Sequence, residues 1–224
     1  MMSRRTALLW AGGIATALIL ATGVPYLIAH GLSEPGETFS GILFNATDTH
    51  QYLAWIREAA SGGVLLSNRY SPVPHPPLLV SPFFLGAGKL AALFGWSPIT
   101  AFHVARVVLT AALVFAVFGF ARQALGRPEP ALWATAIASF AGGLGLPLAA
   151  LGVSVPAALI ERPIDFWVPE AFVFQTAYLF PHLLLAQLLM IAVIGGFAVA
   201  LREYRPTTVA GVTGAALLLA LVHP

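Results

Sequence analysis

The sequence predicts an all-α, polytopic membrane protein with five transmembrane helices and amphipathic surface helices in its first outer loop. Composition is the first observation behind this. Of 224 residues, 58% are hydrophobic and 9% charged, with a mean hydropathy of +0.86, whereas soluble domains carry roughly 45–50% apolar and 25% charged residues. The second is a series of separated apolar runs of membrane-spanning length, and the third is that short basic connections join them. Together these exclude a soluble enzyme, a disordered tail and a nucleic-acid binder. Eleven basic residues stand against nine acidic ones, so the net charge of +2 gives no reason to expect a polyanionic partner. Cysteine is absent, which removes disulfides, thiolate metal sites and cysteine nucleophiles.

The first run, Ala7 to Ala29, has 23 residues, roughly 34 Å of helix against a hydrocarbon core of roughly 30 Å. Arg4 and Arg5 precede it; Glu34 and Glu37 follow. It is too long for a signal-peptide core, and Tyr26 to His30 offers no small-x-small cleavage site. We therefore read an uncleaved helix with a cytoplasmic N-terminus. Further spans are predicted over Pro98–Arg122, Ala131 to about Ala150, Pro181–Leu201 and Thr207–Val222. The basic connections Arg122–Arg127 and Arg202–Arg205 belong inside by the positive-inside rule. Residues 31–97, the 142–180 region and His223-Pro224 then lie outside. Leu78–Phe94, 17 residues with Pro82, two glycines and Lys89, is predicted to lie on the outer membrane surface. A mid-membrane lysine costs roughly 2.5–3.5 kcal/mol, so Lys89 is expected to snorkel to the headgroups. The whole, 1–224, reads as one transmembrane module.

The polar chemistry gathers in the outer loops. Asp48 to Ser61 predicts an amphipathic helix, stopped by Gly62, with Tyr52, Trp55, Ile56 and Ala59 on one stripe and His50, Arg57 and Glu58 away from it. Tyr52 and Trp55 suit a headgroup-level belt. Asp48, followed by Gln51, reads equally as a helix N-cap or as a chemical group. Asn45-Ala46-Thr47 matches a glycosylation sequon, the weaker reading of that tripeptide. Further on, His75 is held stiffly between Pro74 and Pro76.

Arg106 lies eight residues into the second span, roughly 12 Å down the helix, with His103 on the same face. An ionisable residue at that depth is a functional candidate by default. A second outer cluster runs from Glu161 to Glu170 and includes Asp165; His182 follows Pro181 at the head of the fourth span.

The ordered set of Asp48 with Tyr52, then His75-Pro76-Pro77-Leu78, then Arg106 resembles the N-terminal module of GT-C class glycosyltransferases. These are membrane enzymes that use polyprenyl-phosphate sugars, such as protein O-mannosyltransferases and lipid A aminoarabinose transferases. The resemblance covers about Ala7 to Leu125. It departs from the family at Asp48, which is followed by Thr49 where an Asp-Glu pair is common. It implies sugar transfer from a polyprenyl-phosphate donor at the outer face of the plasma membrane, in the cell envelope. Asp48 would be the base, Arg106, His103 and His75 the donor-phosphate contacts, and Tyr52, Asp165, Glu170 and His182 substrate contacts. Metal dependence varies in the class; Mg²⁺ or Mn²⁺ is the candidate cofactor, and none is required by the residues alone. GT-C enzymes have around ten or more spans, so this chain would be an N-terminal part, inactive alone if the acceptor site is incomplete.

Two other classes fit a polytopic protein: a transporter using Arg106 as an anion site, or a structural subunit. A transporter is expected to place ionisable groups at the bilayer midplane on broken helices, whereas here they gather at the outer ends of spans. The enzyme reading carries one geometric expectation, that Asp48 and Arg106 face a single watery hollow.

Overall fold

The computed structural model describes residues 2–68, 70–142, 152 and 168–222. Among them, regular structure is helical apart from one isolated bridge, Leu66 with Leu79. In chain order the helices are α1 (Arg4–Gly31), α2 (Ala46–Ala60), α3 (Pro82–Phe94), α4 (Pro98–Leu125), α5 (Pro128–Phe140), α6 (Val173–Leu179), α7 (Pro181–Arg202) and α8 (Pro206–Val222). Five of these begin on proline. The first helical N–H has no intrahelical acceptor, so a residue without one costs nothing there and its fixed φ favours the helix. Five of the chain's prolines thus mark helix starts.

α4 is the central helix, packed by α1, α5 and α7. α1 presents to it a stripe of Ala7, Ala11, Ala15, Leu18 and Thr22, all buried; small residues at this spacing let two backbones approach closely. Leu113, Val114, Phe118 and Ala121 of α4 fill the opposing side, and Ala131 brings in α5. The opposite face of α1 exposes Leu9, Trp10 and Leu27. Large apolar side chains on the outside of a helical bundle suit lipid rather than water.

Among the described residues three helices, α1, α4 and α7, are long and apolar enough to cross a membrane. The other two predicted spans are not shown to cross. α8 has 17 residues, roughly 26 Å, short of the usual hydrocarbon thickness. α5 ends at Phe140, where Ala141 turns extended, and residues 143–150 of the predicted span lie outside the described residues.

The helices also sort the two ends of the bundle. The Met2 backbone N–H donates to Glu129 Oε1 at 3.0 Å, so the start of α1 and the start of α5 share one end. Gly195 of α7 lies against Phe120 of α4, making α7 run parallel to α4 towards that end. Arg4, Arg5, Arg122, Arg127, Arg202 and Arg205 thus belong to one end. The long 31–97 loop, α6 and the head of α7 belong to the other, joined there by the Tyr26 hydroxyl donating to the Tyr178 carbonyl (2.7 Å).

Within the long loop, α2 and α3 pack through Ile56 and Ala59 against Phe83, Phe84, Ala87 and Ala91. α3 has 13 residues, roughly 20 Å, shorter than the hydrocarbon core. It starts at Pro82 rather than Leu78, because Leu79 is drawn into the bridge with Leu66 (2.8 and 3.0 Å). Lys89 does not reach for headgroups: its Nζ donates to the Ala59 carbonyl at 2.9 Å, satisfying a carbonyl at the C-terminus of α2. Tyr52 and Trp55 do not form a headgroup belt either. Tyr52 stacks on Phe84 (4.9 Å, 17°), and Trp55 Nε1 donates to the Ser67 carbonyl at 2.7 Å.

The α2–α3 contact closes on Gly88. A Cβ there would lie 2.5 Å from the Ile56 carbonyl oxygen and 2.9 Å from the Ala60 nitrogen, both backbone atoms that cannot step aside, whereas one on Gly86 meets nothing within 4 Å. Gly88→Ala is expected to destabilise the α2–α3 pair by about 1–3 kcal/mol, and Gly86→Ala to be silent. Thermal unfolding of the two variants in detergent, followed by Trp55 fluorescence, checks this.

Candidate functional site

The site begins with the way α2 starts. Asn45 takes the left-handed conformation (φ 46°) and is the N-cap: its Oδ1 accepts from the Asp48 N–H at 3.5 Å, and the Thr49 hydroxyl donates to its carbonyl at 3.0 Å. Asp48 is therefore not the N-cap but stands three residues further in, which frees its carboxylate to point sideways. Asn45 Nδ2 donates to Asp48 Oδ2 (2.6 Å) and the Tyr70 hydroxyl donates to Asp48 Oδ1 (2.8 Å). Tyr70 arrives on a loop fixed from below: Glu58 accepts from the Ser67 N–H (3.2 Å) and Ser67 hydroxyl (2.7 Å).

The opposite wall comes from residues more than a hundred positions away. Glu170 sits in a 3₁₀ turn, Pro169–Ala171. The turn is held by the Thr176 hydroxyl donating to the Pro169 carbonyl (2.5 Å) and by Gln187 Nε2 donating to the Glu170 carbonyl (3.2 Å). His182 follows Pro181 at the head of α7, buried among aromatic rings, with Tyr52 at 4.6 Å and Phe84 at 5.4 Å between ring centres. Asp48, Tyr52, Glu170 and His182 line one half-open cavity of about 270 Å³, completed by apolar atoms of Phe44, Val168 and Leu183. Four of the sequence-derived candidates thus converge. Burial, reinforced by the Asp48 and Tyr70 charges and then Glu170, pushes the Tyr52 phenol up to about 12, so it remains a neutral hydroxyl donor beside two carboxylates.

The remaining candidates go elsewhere. Arg106 is not on the lining of this cavity, and the expectation that it shares a watery hollow with Asp48 is not met. Its side chain is 5% exposed and is engaged by the protein. Nη1 donates to the Ala177 carbonyl (2.9 Å) and the Thr22 hydroxyl (3.4 Å), Nε donates to His103 Nδ1 (3.3 Å), and the guanidinium lies 4.7 Å from the centre of the Tyr26 ring. Since His103 Nδ1 accepts from Arg106, its Nε2 carries the proton and donates to the Gly41 carbonyl at 2.9 Å. Arg106 and His103 therefore tie α1, α4, α6 and the outer loop together. His75 closes a local turn: its Nε2 accepts from the Asn68 N–H (3.1 Å), and its Nδ1 donates to the Val73 carbonyl (2.9 Å). Asp165 lies outside the described residues. Among the described residues no three His, Asp or Glu side chains lie close enough together to hold a metal ion between them. Asp48 and Glu170 are the two carboxylates that a Mg²⁺ or Mn²⁺ keeping most of its waters would use.

Sequence reasoning missed Tyr70, Thr176 and Gln187, which brace the cavity rather than form a motif. Tyr70 carried one signal, an aromatic hydroxyl in a Pro-rich stretch.

Two outcomes follow. Replacing Arg106 by methionine strands the Ala177 carbonyl in the bundle, and is expected to cost about 1–3 kcal/mol, read as a lowered melting temperature in detergent. For Tyr52, the folded-state value lies above the ordinary 10.0, so the unfolded chain releases its proton first as pH rises. The contribution of Tyr52 to stability is full below about pH 10 and is lost between about pH 10 and 12. Alkaline titration followed by phenolate absorbance should show the late-titrating amplitude fall by one tyrosine in Tyr52→Phe, with a shallower alkaline loss of stability. Comparison with protein-family models, with curated proteins and with solved structures found no match to this chain.

Proposed function

We propose that the chain is a module of a membrane glycosyltransferase, transferring a sugar from a polyprenyl-phosphate donor to a hydroxyl acceptor at the Asp48 cavity. The observation that carries this reading is the convergence of Asp48, Tyr52, Glu170 and His182, from the outer loop and from the head of α7, on one half-open cavity. Sugar transfer needs a base: the acceptor hydroxyl loses its proton to Asp48 as its oxygen bonds the sugar carbon, and the bond from that carbon to the phosphate oxygen breaks with the electron pair leaving on phosphate. Each Asp48 oxygen has a second lone pair beyond those used by Asn45 and Tyr70, so the bracing orients the carboxylate without exhausting it. The neutral Tyr52 phenol and Glu170 supply the donor and acceptor that ring hydroxyls require. His182 is the basic side chain among the described lining residues, and it takes over the phosphate contact that the sequence alone assigned to Arg106, His103 and His75.

The arginines gathered at the far end favour a cytoplasmic location for that end, and hence an outer location for the cavity, in the plasma membrane. On this reading α5 and α8 complete the alternation, giving five spans. A second reading, a structural subunit, is favoured by the full engagement of Arg106 by protein groups.

The test is transfer of radiolabelled sugar from a panel of polyprenyl-phosphate sugars by the purified chain in liposomes. Asp48→Asn is expected to lower the rate about 10²–10⁴-fold, and Glu170→Gln less. Transfer that survives Asp48→Asn would sink the assignment; so would loss of transfer accompanied by unfolding of the variant only, read from its melting temperature.

A further inference from the structure

We propose that the face of α2 turned away from α3 is a second binding site, for a water-soluble ligand that carries an oxyanion, a carboxylate or a phosphate, among hydroxyl groups. Thr47, His50, Gln51, Ala54, Arg57 and Ser61 recur three or four residues apart and line an open groove of about 860 Å³, walled on one side by Tyr70. At 100° per residue this stripe lies opposite Ile56 and Ala59, which face α3, so the groove and the Asp48 cavity flank α2 on different sides.

Its polar groups are weighted towards donors. Neither the Arg57 guanidinium nor the His50 ring has a partner among the described residues. Gln51 lines the same groove, is 4% exposed, and its Nε2 has no acceptor among the described residues. A buried amide donor without an acceptor costs free energy that a ligand oxygen would recover. Glu58 also lines the groove, but its two oxygens accept from Ser67, which turns its charge towards the loop. Arg57 and Gln51 together suit an oxyanion, which guanidinium binds with charge-assisted bonds. Hydroxyls of the ligand find acceptors in Ser61, whose own proton goes to the Arg57 carbonyl (3.0 Å), and in Tyr70, whose proton goes to Asp48. Ala54, Gly63 and the Tyr70 ring are the apolar members of the described lining, too few to form a channel for an acyl chain. That favours a soluble ligand over a lipid headgroup.

Calorimetric titration of the full chain in phosphatidylcholine nanodiscs tests this, with glucuronate and inorganic phosphate as probes and glucose as the uncharged comparator. Glucuronate and phosphate are expected to bind, glucose about tenfold or more weakly, and Arg57→Gln and Gln51→Leu each to weaken glucuronate about tenfold or more. Gln51→Leu is read only if its circular dichroism matches the parent; Arg57 is exposed, so Arg57→Gln decides the matter by itself. No binding of either anion, equal binding of glucose, unchanged affinity in Arg57→Gln, or abolition of binding when the nanodiscs contain phosphatidylglycerol would each overturn the proposal. The readout is binding, not transfer, so its failure leaves the Asp48 reading standing, and the reverse.

Discussion

A guanidinium almost closed off from solvent organises the end of the bundle where the polar chemistry lies. Arg106 reaches Thr22 on α1, the Ala177 carbonyl on α6 and, through His103, the Gly41 carbonyl of the outer loop. No carboxylate forms an ion pair with it among the described residues; its charge is met by carbonyl and hydroxyl dipoles, an imidazole and the face of Tyr26. Such a cation is costly to bury, and the cost is offset only where several elements hold their dipoles in place together. α6 and the head of α7 consequently have one position relative to α1 and α4, and that position brings Glu170 and His182 opposite Asp48.

The close approach of Gly41 belongs to the same constraint. It adopts φ 82°, and a Cβ on it would lie 2.7 Å from Ile99 Cγ1 and 3.4 Å from His103 Nε2. Only glycine lets the loop carbonyl come down onto the imidazole. The loop that carries α2 is thus anchored at Gly41 just before the Asn45 cap, and a few residues later Asp48 inherits that placement. The framework residues and the chemical residues are different sets, coupled through backbone positions rather than through shared contacts.

This division explains what the sequence revealed and what it hid. The long apolar helices α1, α4 and α7 were readable because a run of twenty or more apolar residues has few alternatives in water or lipid. α2 was readable from its stripe, and Asp48, Tyr52, Glu170 and His182 stood out as polar groups beside apolar runs. Arg106 was singled out by the same rule, yet intramembrane charge signals burial against something without saying whether a ligand or the protein supplies the partner. Its partners are mostly backbone carbonyls, which every residue carries and no motif encodes. The start of α2 was misplaced for a similar reason: Asp48 and Asn45 are both good caps, and the choice of Asn45 depends on a left-handed φ that asparagine tolerates.

Placing Asp48 outside the arginine's reach has a chemical consequence. A carboxylate facing a buried guanidinium would be held as a spectator in an ion pair, its lone pairs committed and its basicity reduced. Asp48 is instead met by two neutral donors, an amide and a phenol, which fix its direction while leaving each oxygen a second lone pair. The cation secures the walls and the carboxylate stays available between them. A bundle that merged the two roles would gain an ion pair and commit the carboxylate to it.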